Sequence, residues 1–167
     1  MRIGIGHDTH RLVDDRSLLL GGVPVVHHRG LAGHSDADVV LHAVTDALLG
    51  AAGLGDIGEA YPDNDPAYRD CASSLFVRET LARLSEAGWR VVNLDVIIFA
   101  QEPRLGPFKA DIRRNLAALL GLDAGAVNVK AKTGENVGHI GRAEAIACQA
   151  VALIDETSRN PKSEMTS

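Results

Sequence analysis

The stretch Asp38-Val39-Val40-Leu41-His42-Ala43-Val44-Thr45-Asp46-Ala47-Leu48-Leu49-Gly50-Ala51-Ala52 decides the architecture. Its Ala/Leu/Val pattern predicts a helix from about Asp38 to Ala52, with Val40, Ala43, Val44, Ala47, Leu48 and Ala51 as the buried stripe. Asp38, His42 and Asp46 recur at every fourth residue, so they form a second stripe beside the apolar one, at the edge of the core. The Gly/Ser/Asp loop 31–37 feeds this helix. Two readings of it stand together. The free N–H groups of a helix N-terminus favour an anion, with His34 or Ser35 as further donors. Alternatively, Ser35, Asp36 or Asp38 caps the helix.

Upstream, residues 2–11 alternate as a strand does. Ile3 and Ile5 point one way, and Gly4, Gly6, Asp8 and His10 the other. Asp8 and His10 therefore project together. If the helix packs on this strand, Asp8, His10 and His42 converge. Two imidazoles and one carboxylate suit zinc with an open fourth position, the form of a catalytic site. Asp46 is then the expected acceptor for the ring N–H of His42. The same donors also suit Fe(II). Taken separately, each half reads equally as a strand-edge polar pair and a solvated helix face.

Downstream, Leu18–Leu20, Gly21-Gly22 and Val23–Val26 read as a hairpin. His27-His28 reads as its exposed end, without a function. Residues 53–72 form a long structured loop, often a functional one. A second helix carries Val77, Leu81 and Leu84 and stops at Gly88. Val91–Phe99 is a strand. Pro107 opens a third helix, with Phe108, Ile112, Leu116 and Leu119 or Leu120 inward, and Gly121 closes it. Val127 and Val129 mark another strand. Ala143–Ile154 reads either as a helix, by its alanines, or as a closely packed strand. Lys132 and Arg142 are either a phosphate-attracting pair or surface charge. Cys148 reads as a core thiol, and nothing near Cys71 supports nucleophilic chemistry.

At 167 residues the chain suits one domain, over 1–157, followed by a polar tail over 158–167. The apolar fraction is 46% and the charged fraction 23%, the balance of a folded protein. A net charge of −5 argues against broad nucleic-acid or anionic-membrane binding. No apolar run reaches the roughly 20 residues of a membrane span. Met1-Arg2-Ile3-Gly4 does not open a signal peptide. Two cysteines make no disulfide framework, and the expected location is cytoplasmic.

The run from His34 to Ala51, continued by Gly55-Asp56-Ile57-Gly58, resembles the signature of the 2-C-methyl-D-erythritol 2,4-cyclodiphosphate synthase family. Gly21-Gly22-Val23, Tyr61-Pro62-Asp63-Asn64-Asp65-Pro66 and Val127-Asn128-Val129-Lys130-Ala131-Lys132-Thr133 match as well, so the resemblance runs from Arg2 to about Ile154. It implies an α+β fold in two layers, a mixed β-sheet with helices on one face, assembled as a homotrimer like the trimeric chorismate mutases. It makes the last segment a strand. It implies a phosphorus–oxygen lyase that turns 4-diphosphocytidyl-2-C-methyl-D-erythritol 2-phosphate into the 2,4-cyclodiphosphate and CMP, on the non-mevalonate route to isoprenoids. The active sites would lie between subunits.

Carried over residue by residue, Asp8, His10 and His42 would hold one Zn²⁺ per subunit. Glu135 would help hold a Mg²⁺ or Mn²⁺ that comes with the substrate. His34, Ser35 and Thr133 would contact phosphate; His34, Thr133 and Asp56 would be catalytic. Asp56, Ile57, Gly58, Tyr61, Pro62, Asp63, Asn64 and Asp65 would line the methylerythritol side. Ala100, Gln101, Glu102, Pro103, Arg104, Leu105 and Gly106 would surround the cytidine with Ala131, Lys132 and Thr133. Thr9 and Gly134 would complete the contacts. His139 and Arg142 would lie near the trimer axis, with Arg142 toward a diphosphate end in a central cavity. Some positions depart from the family pattern: His139 replaces an aromatic residue, Arg104 a lysine, Gly106 a larger residue and Lys132 a common threonine. His139 puts isoprenoid-diphosphate binding in the central cavity in doubt, but not the reaction.

Overall fold

The computed structural model of the chain describes residues 1–62 and 64–157; Asp63 and the expected tail, 158–167, lie outside the described residues. In chain order the strands are β1 (Arg2–Asp14), β2 (Leu18–Leu20), β3 (Val23–Val25), β4 (Arg29–Leu31), β5 (Trp89–Phe99), β6 (Val127–Lys132) and β7 (Ala145–Glu156). The helices are α1 (Val39–Ala52), the one-turn α2 (Ile57–Ala60), α3 (Ser74–Glu86), α4 (Lys109–Leu120) and the one-turn α5 (Gly138–Gly141). Five strands form one mixed sheet in the order β4-β1-β7-β5-β6, in which only β5 and β6 run parallel; β2 and β3 form a separate hairpin. Gly21 and Gly22 both have positive φ, as that two-residue turn requires.

The helices cover one face of the sheet. α1 lies on β1 and β7, α4 on β6, and α3 against α1 and β5. On the other face Ile3, Ile5 and Val151 stay exposed. The alternation read in residues 2–11 is therefore real, but the glycines and not the isoleucines face the core. A Cβ on Gly4 would come within 2.0 Å of the Ala47 carbonyl oxygen, and one on Gly6 equally close to that of Ala43. Glycine on the strand and alanine on the helix let the two backbones touch, and this contact sets the depth at which α1 sits.

β7 shows the same economy of size. Its alanines favour a helix in isolation, yet the segment pairs antiparallel with β1 on one side and β5 on the other. Ala150 and Ala152 are fully buried beneath the helix layer, where larger side chains would lift α1 off the sheet. Pairing on two edges outweighs the local propensity, and the strand alternative holds. The structure adds β4, α2 and three 3₁₀ turns, including Gly106–Phe108 ahead of α4. Pro107 sits in that turn, and α4 itself begins at Lys109.

The buried stripe of α1 is broader than its spacing predicts, because Val39, Leu41, Thr45, Leu49 and Ala52 are buried too. α3 covers this second side, and Leu49 packs with Tyr61 and Phe76 in a smaller apolar cluster. At the other end, Asp38 resolves the question of the helix N-terminus. Its Oδ1 accepts from the N–H groups of Val40, Leu41 and Gly21, and its Oδ2 from that of Gly22. One buried carboxylate thus caps α1 and pins the β2–β3 turn to it. The N–H groups of Val40 and Leu41 are thereby taken, which is the capping alternative.

Candidate active site

The inward face of β1 continues from Gly6 to Asp8 and His10, and α1 presents His42 one residue before Ala43, which Gly6 abuts. Asp8 Oδ2 lies 2.8 Å from His10 Nε2 and 2.9 Å from His42 Nδ1, and the two ring nitrogens are 3.0 Å apart. The far nitrogen of each ring is occupied. His10 Nδ1–H donates to the Ala32 carbonyl at 2.6 Å. His42 Nε2–H faces Ser73 Oγ at 2.9 Å and Ser35 Oγ at 3.1 Å. Ser73 Oγ in turn donates to Asp36 Oδ1. Such bonds fix the tautomer that leaves the near nitrogens free to ligate. A solvated polar pair needs no such support, so the donor set fits a metal. Three atoms on a triangle of this size can all lie about 2.0–2.2 Å from one ion above its plane, the distance zinc adopts.

Charge couples the three groups. Burial alone would raise the Asp8 pKa, but hydrogen bonds from His10 and His42 and their charge hold it well below the usual carboxylate range. Burial lowers the His10 pKa, and the bond to Asp8 more than reverses this.

The three side chains form the floor of a cavity of about 270 Å³. Gly33, His34 and Ser35 line one wall; Ile57, Gly58, Tyr61, Pro62, Tyr68 and Phe76 line the other. The Tyr61 hydroxyl bonds Thr80 Oγ1 at 3.0 Å and the Phe76 carbonyl at 3.2 Å, so Tyr61 is a braced wall that turns its ring to the cavity. Asp56 is exposed and caps α2, its Oδ1 accepting from Glu59 N–H at 2.9 Å. Asp65 caps the turn Pro66–Tyr68, and Asn64 is exposed beside it. Thr9 gives its N–H to Asp8 Oδ1, while its hydroxyl meets His7 on the open face of the sheet.

A second group of expected residues gathers at the C-terminal ends of the parallel pair β5 and β6. Ala100 N–H bonds the Lys132 carbonyl, which ties the 100–106 loop to the segment Ala131–Glu135. Thr133 Oγ1 donates to Glu135 Oε1 at 2.8 Å. Glu135 and Asn136 hold left-handed φ values, and Gln101 braces the turn through the side chain of Asn136. Leu105 is buried, while Arg104, Gly106, Lys132 and His139 are exposed. Arg142 forms a two-point pair with Glu144, at 2.7 and 3.1 Å. Register links Asp8 to Cys148, Ile98 and Ala131 in turn. The two groups thus stand at the same level of the sheet, three strand spacings or about 14 Å apart.

Two residues differ from expectation. Asp46 does not support His42; it accepts from Ile57 N–H at 3.3 Å and so ties α1 to α2. The support comes from Ser73, which sequence reasoning missed. Ser73 stands at the cap position of α3, where serine normally bonds the helix N–H groups, yet it makes no such bond. Its place reads as a cap, and only the fold turns it toward His42.

The model of the YgbB family matches residues 1–155. The 2-C-methyl-D-erythritol 2,4-cyclodiphosphate synthase of Bordetella pertussis is 56% identical over 92% of this chain and 94% of its own. A solved CDP-bound synthase of the same name is 36% identical, with a TM-score of 0.86 over 92% of this chain and 100% of that one. The bifunctional IspDF of Campylobacter jejuni gives a TM-score of 0.89 at 41% identity, and the chain spans 43% of that longer protein. With the strands, the helix layer and the Asp8–His10–His42 cluster in place, the chain belongs to the YgbB family, that of the 2-C-methyl-D-erythritol 2,4-cyclodiphosphate synthases.

Proposed function

We propose that the chain catalyses the cyclisation its relatives are named for. It would take 4-diphosphocytidyl-2-C-methyl-D-erythritol 2-phosphate and release the 2,4-cyclodiphosphate and CMP, as a phosphorus–oxygen lyase of the non-mevalonate route. The observation that carries this reading is the meeting of Asp8, His10 and His42 on a cavity floor, with both imidazoles oriented from behind. These residues would hold Zn²⁺, and Glu135 would help hold a Mg²⁺ or Mn²⁺ arriving with the substrate; bound there, the ions would neutralise phosphate charge.

The nucleophile is the substrate's own 2-phosphate oxygen. It forms a bond to the β-phosphorus while the bond to the CMP oxygen breaks, so CMP leaves with that electron pair. The chain's part is then positioning and charge stabilisation. His34 and Thr133 donate to the phosphate oxygens. Ser35 keeps its hydroxyl inward and reaches phosphate through its main chain. Tyr61, Pro62, Tyr68 and Phe76 keep water from phosphorus. Asp56, Ile57, Gly58 and the 61–65 segment face the methylerythritol, and the 100–106 loop with Ala131–Thr133 holds the cytidine.

The same reading makes the assembly a homotrimer. The uncovered sheet face with Ile3, Ile5 and Val151 supports self-association, and the spacing between the two residue groups supports sites completed by a neighbouring copy. Residues 1–157 act as one domain, in the cytoplasm. Phosphorus NMR of the protein with the CDP substrate, Zn²⁺ and Mg²⁺ tests the reaction. Equimolar cyclic diphosphate and CMP is the expected outcome. An open diphosphate with CMP would make the protein a phosphodiesterase. No CMP, with isoprenoid diphosphate bound, would make it a binding trimer; the closed Arg142–Glu144 pair favours catalysis over that reading.

A further inference from the structure

We propose a second metal-binding site, formed by His27, His28 and Glu102, for a borderline divalent ion such as zinc, nickel or cobalt. His27 and His28 lie in the link between β3 and β4, and Glu102 in the loop after β5. One ligand atom from each comes within 4.8 Å of the others. The two rings stand edge to face, with centroids 4.4 Å apart and planes at 62°. Two imidazoles and a carboxylate form a donor set for such ions, and a poor one for magnesium or calcium.

A second observation points the same way. His27 Nε2 is buried without a hydrogen-bond partner among the described residues. A buried polar atom left unpaired is costly, and an ion ligated at Nε2 would remove that cost. The competitor is Arg29, whose Nη2 donates to Glu102 Oε1 at 2.6 Å. The carboxylate has a second oxygen, so an ion can take Oε2 while Arg29 keeps Oε1. None of the three ligands lines the 270 Å³ cavity, so the site is separate from Asp8, His10 and His42. Occupied, it would tether the 100–106 loop to the link between β3 and β4.

Equilibrium dialysis of the full chain against micromolar Zn²⁺, without substrate, tests this. The wild type should bind two ions per chain. His42→Ala should bind one, and His42→Ala combined with His27→Ala and His28→Ala none. Glu102→Gln, which keeps the side-chain size, should weaken the second ion at least tenfold in a chain of unchanged circular dichroism. With Co²⁺ as probe, His42→Ala should still show visible ligand-field bands, lost with His27→Ala. One ion in the wild type and none in His42→Ala would overturn the proposal, as would a second ion indifferent to His27, His28 and Glu102.

Discussion

His42 is the residue through which α1 enters the site: one ring nitrogen faces Asp8 and His10, the other Ser73 and Ser35. On the proposed function, His42→Ala is therefore expected to abolish zinc binding at this cluster and to slow CMP release on the order of 100-fold or more, with the helix retained. Metal analysis and circular dichroism check both halves, and an active, metal-free variant would contradict the assignment. Ser73 touches no reacting atom and acts as a positioning residue. Ser73→Ala should weaken zinc about 10–100-fold. Added zinc should then restore turnover, which a merely structural loss would not allow. Asp56 needs a pair of variants, because it also caps α2. Asn retains the cap and removes the charge, whereas Ala removes both, the cap being worth about 1 kcal/mol. Both variants should lower kcat more than cytidine-nucleotide affinity; normal turnover in Asp56→Asn would reduce Asp56 to its capping role. The Asp8–His10–His42 cluster was readable from spacing, since Asp8 and His10 share a strand face and His42 lies beside the buried stripe of its helix by period alone. Ser73 was not, because its hydroxyl answers to a neighbour 31 positions away.

Among the elements, the contact of β1 with α1 governs the site. Gly4 and Gly6 rest on the carbonyls of Ala47 and Ala43, so Asp8, His10 and His42 beyond them meet at 2.8–3.0 Å. Gly6→Ala would drive a methyl into a backbone oxygen. The expected cost is about 2–3 kcal/mol, read as a lower urea midpoint, with weakened zinc binding as α1 lifts away. An unchanged midpoint would mean that the glycine face does not set the helix depth. The hairpin, α1, α3, α4 and β5 were legible from period and stop signals. β7 was not settled that way, because alanine satisfies both a helix and the narrow space under one. The short pieces β4 and α2 carry too few residues to show any period.

For the whole molecule, the uncovered sheet face is the main open account. Ile3 and Ile5 are 72% and 67% exposed, a poor arrangement for a chain alone in water. On the proposed assembly, Ile5→Lys should yield monomers in place of trimers in analytical ultracentrifugation and abolish turnover with it. A fully active monomer would show that one chain holds a complete site. Co-refolding His42→Ala chains with Thr133→Ala chains gives a second check. Each should be inactive alone, and mixed assemblies should recover part of the activity only if the two residue groups pair across subunits.

Local pattern was enough for the types of the longer elements other than β7, for the shared face of Asp8 and His10, and for the place of His42 beside the buried stripe, since these follow from periods of 2 and 3.6 residues. The packing settled the rest. It chose the glycine face of β1 as the inner one, made β7 a central strand, gave Asp38 to the β2–β3 turn and set Ser73 behind His42. Each of these depends on which surfaces come together across dozens of residues, and no local spacing carries that information.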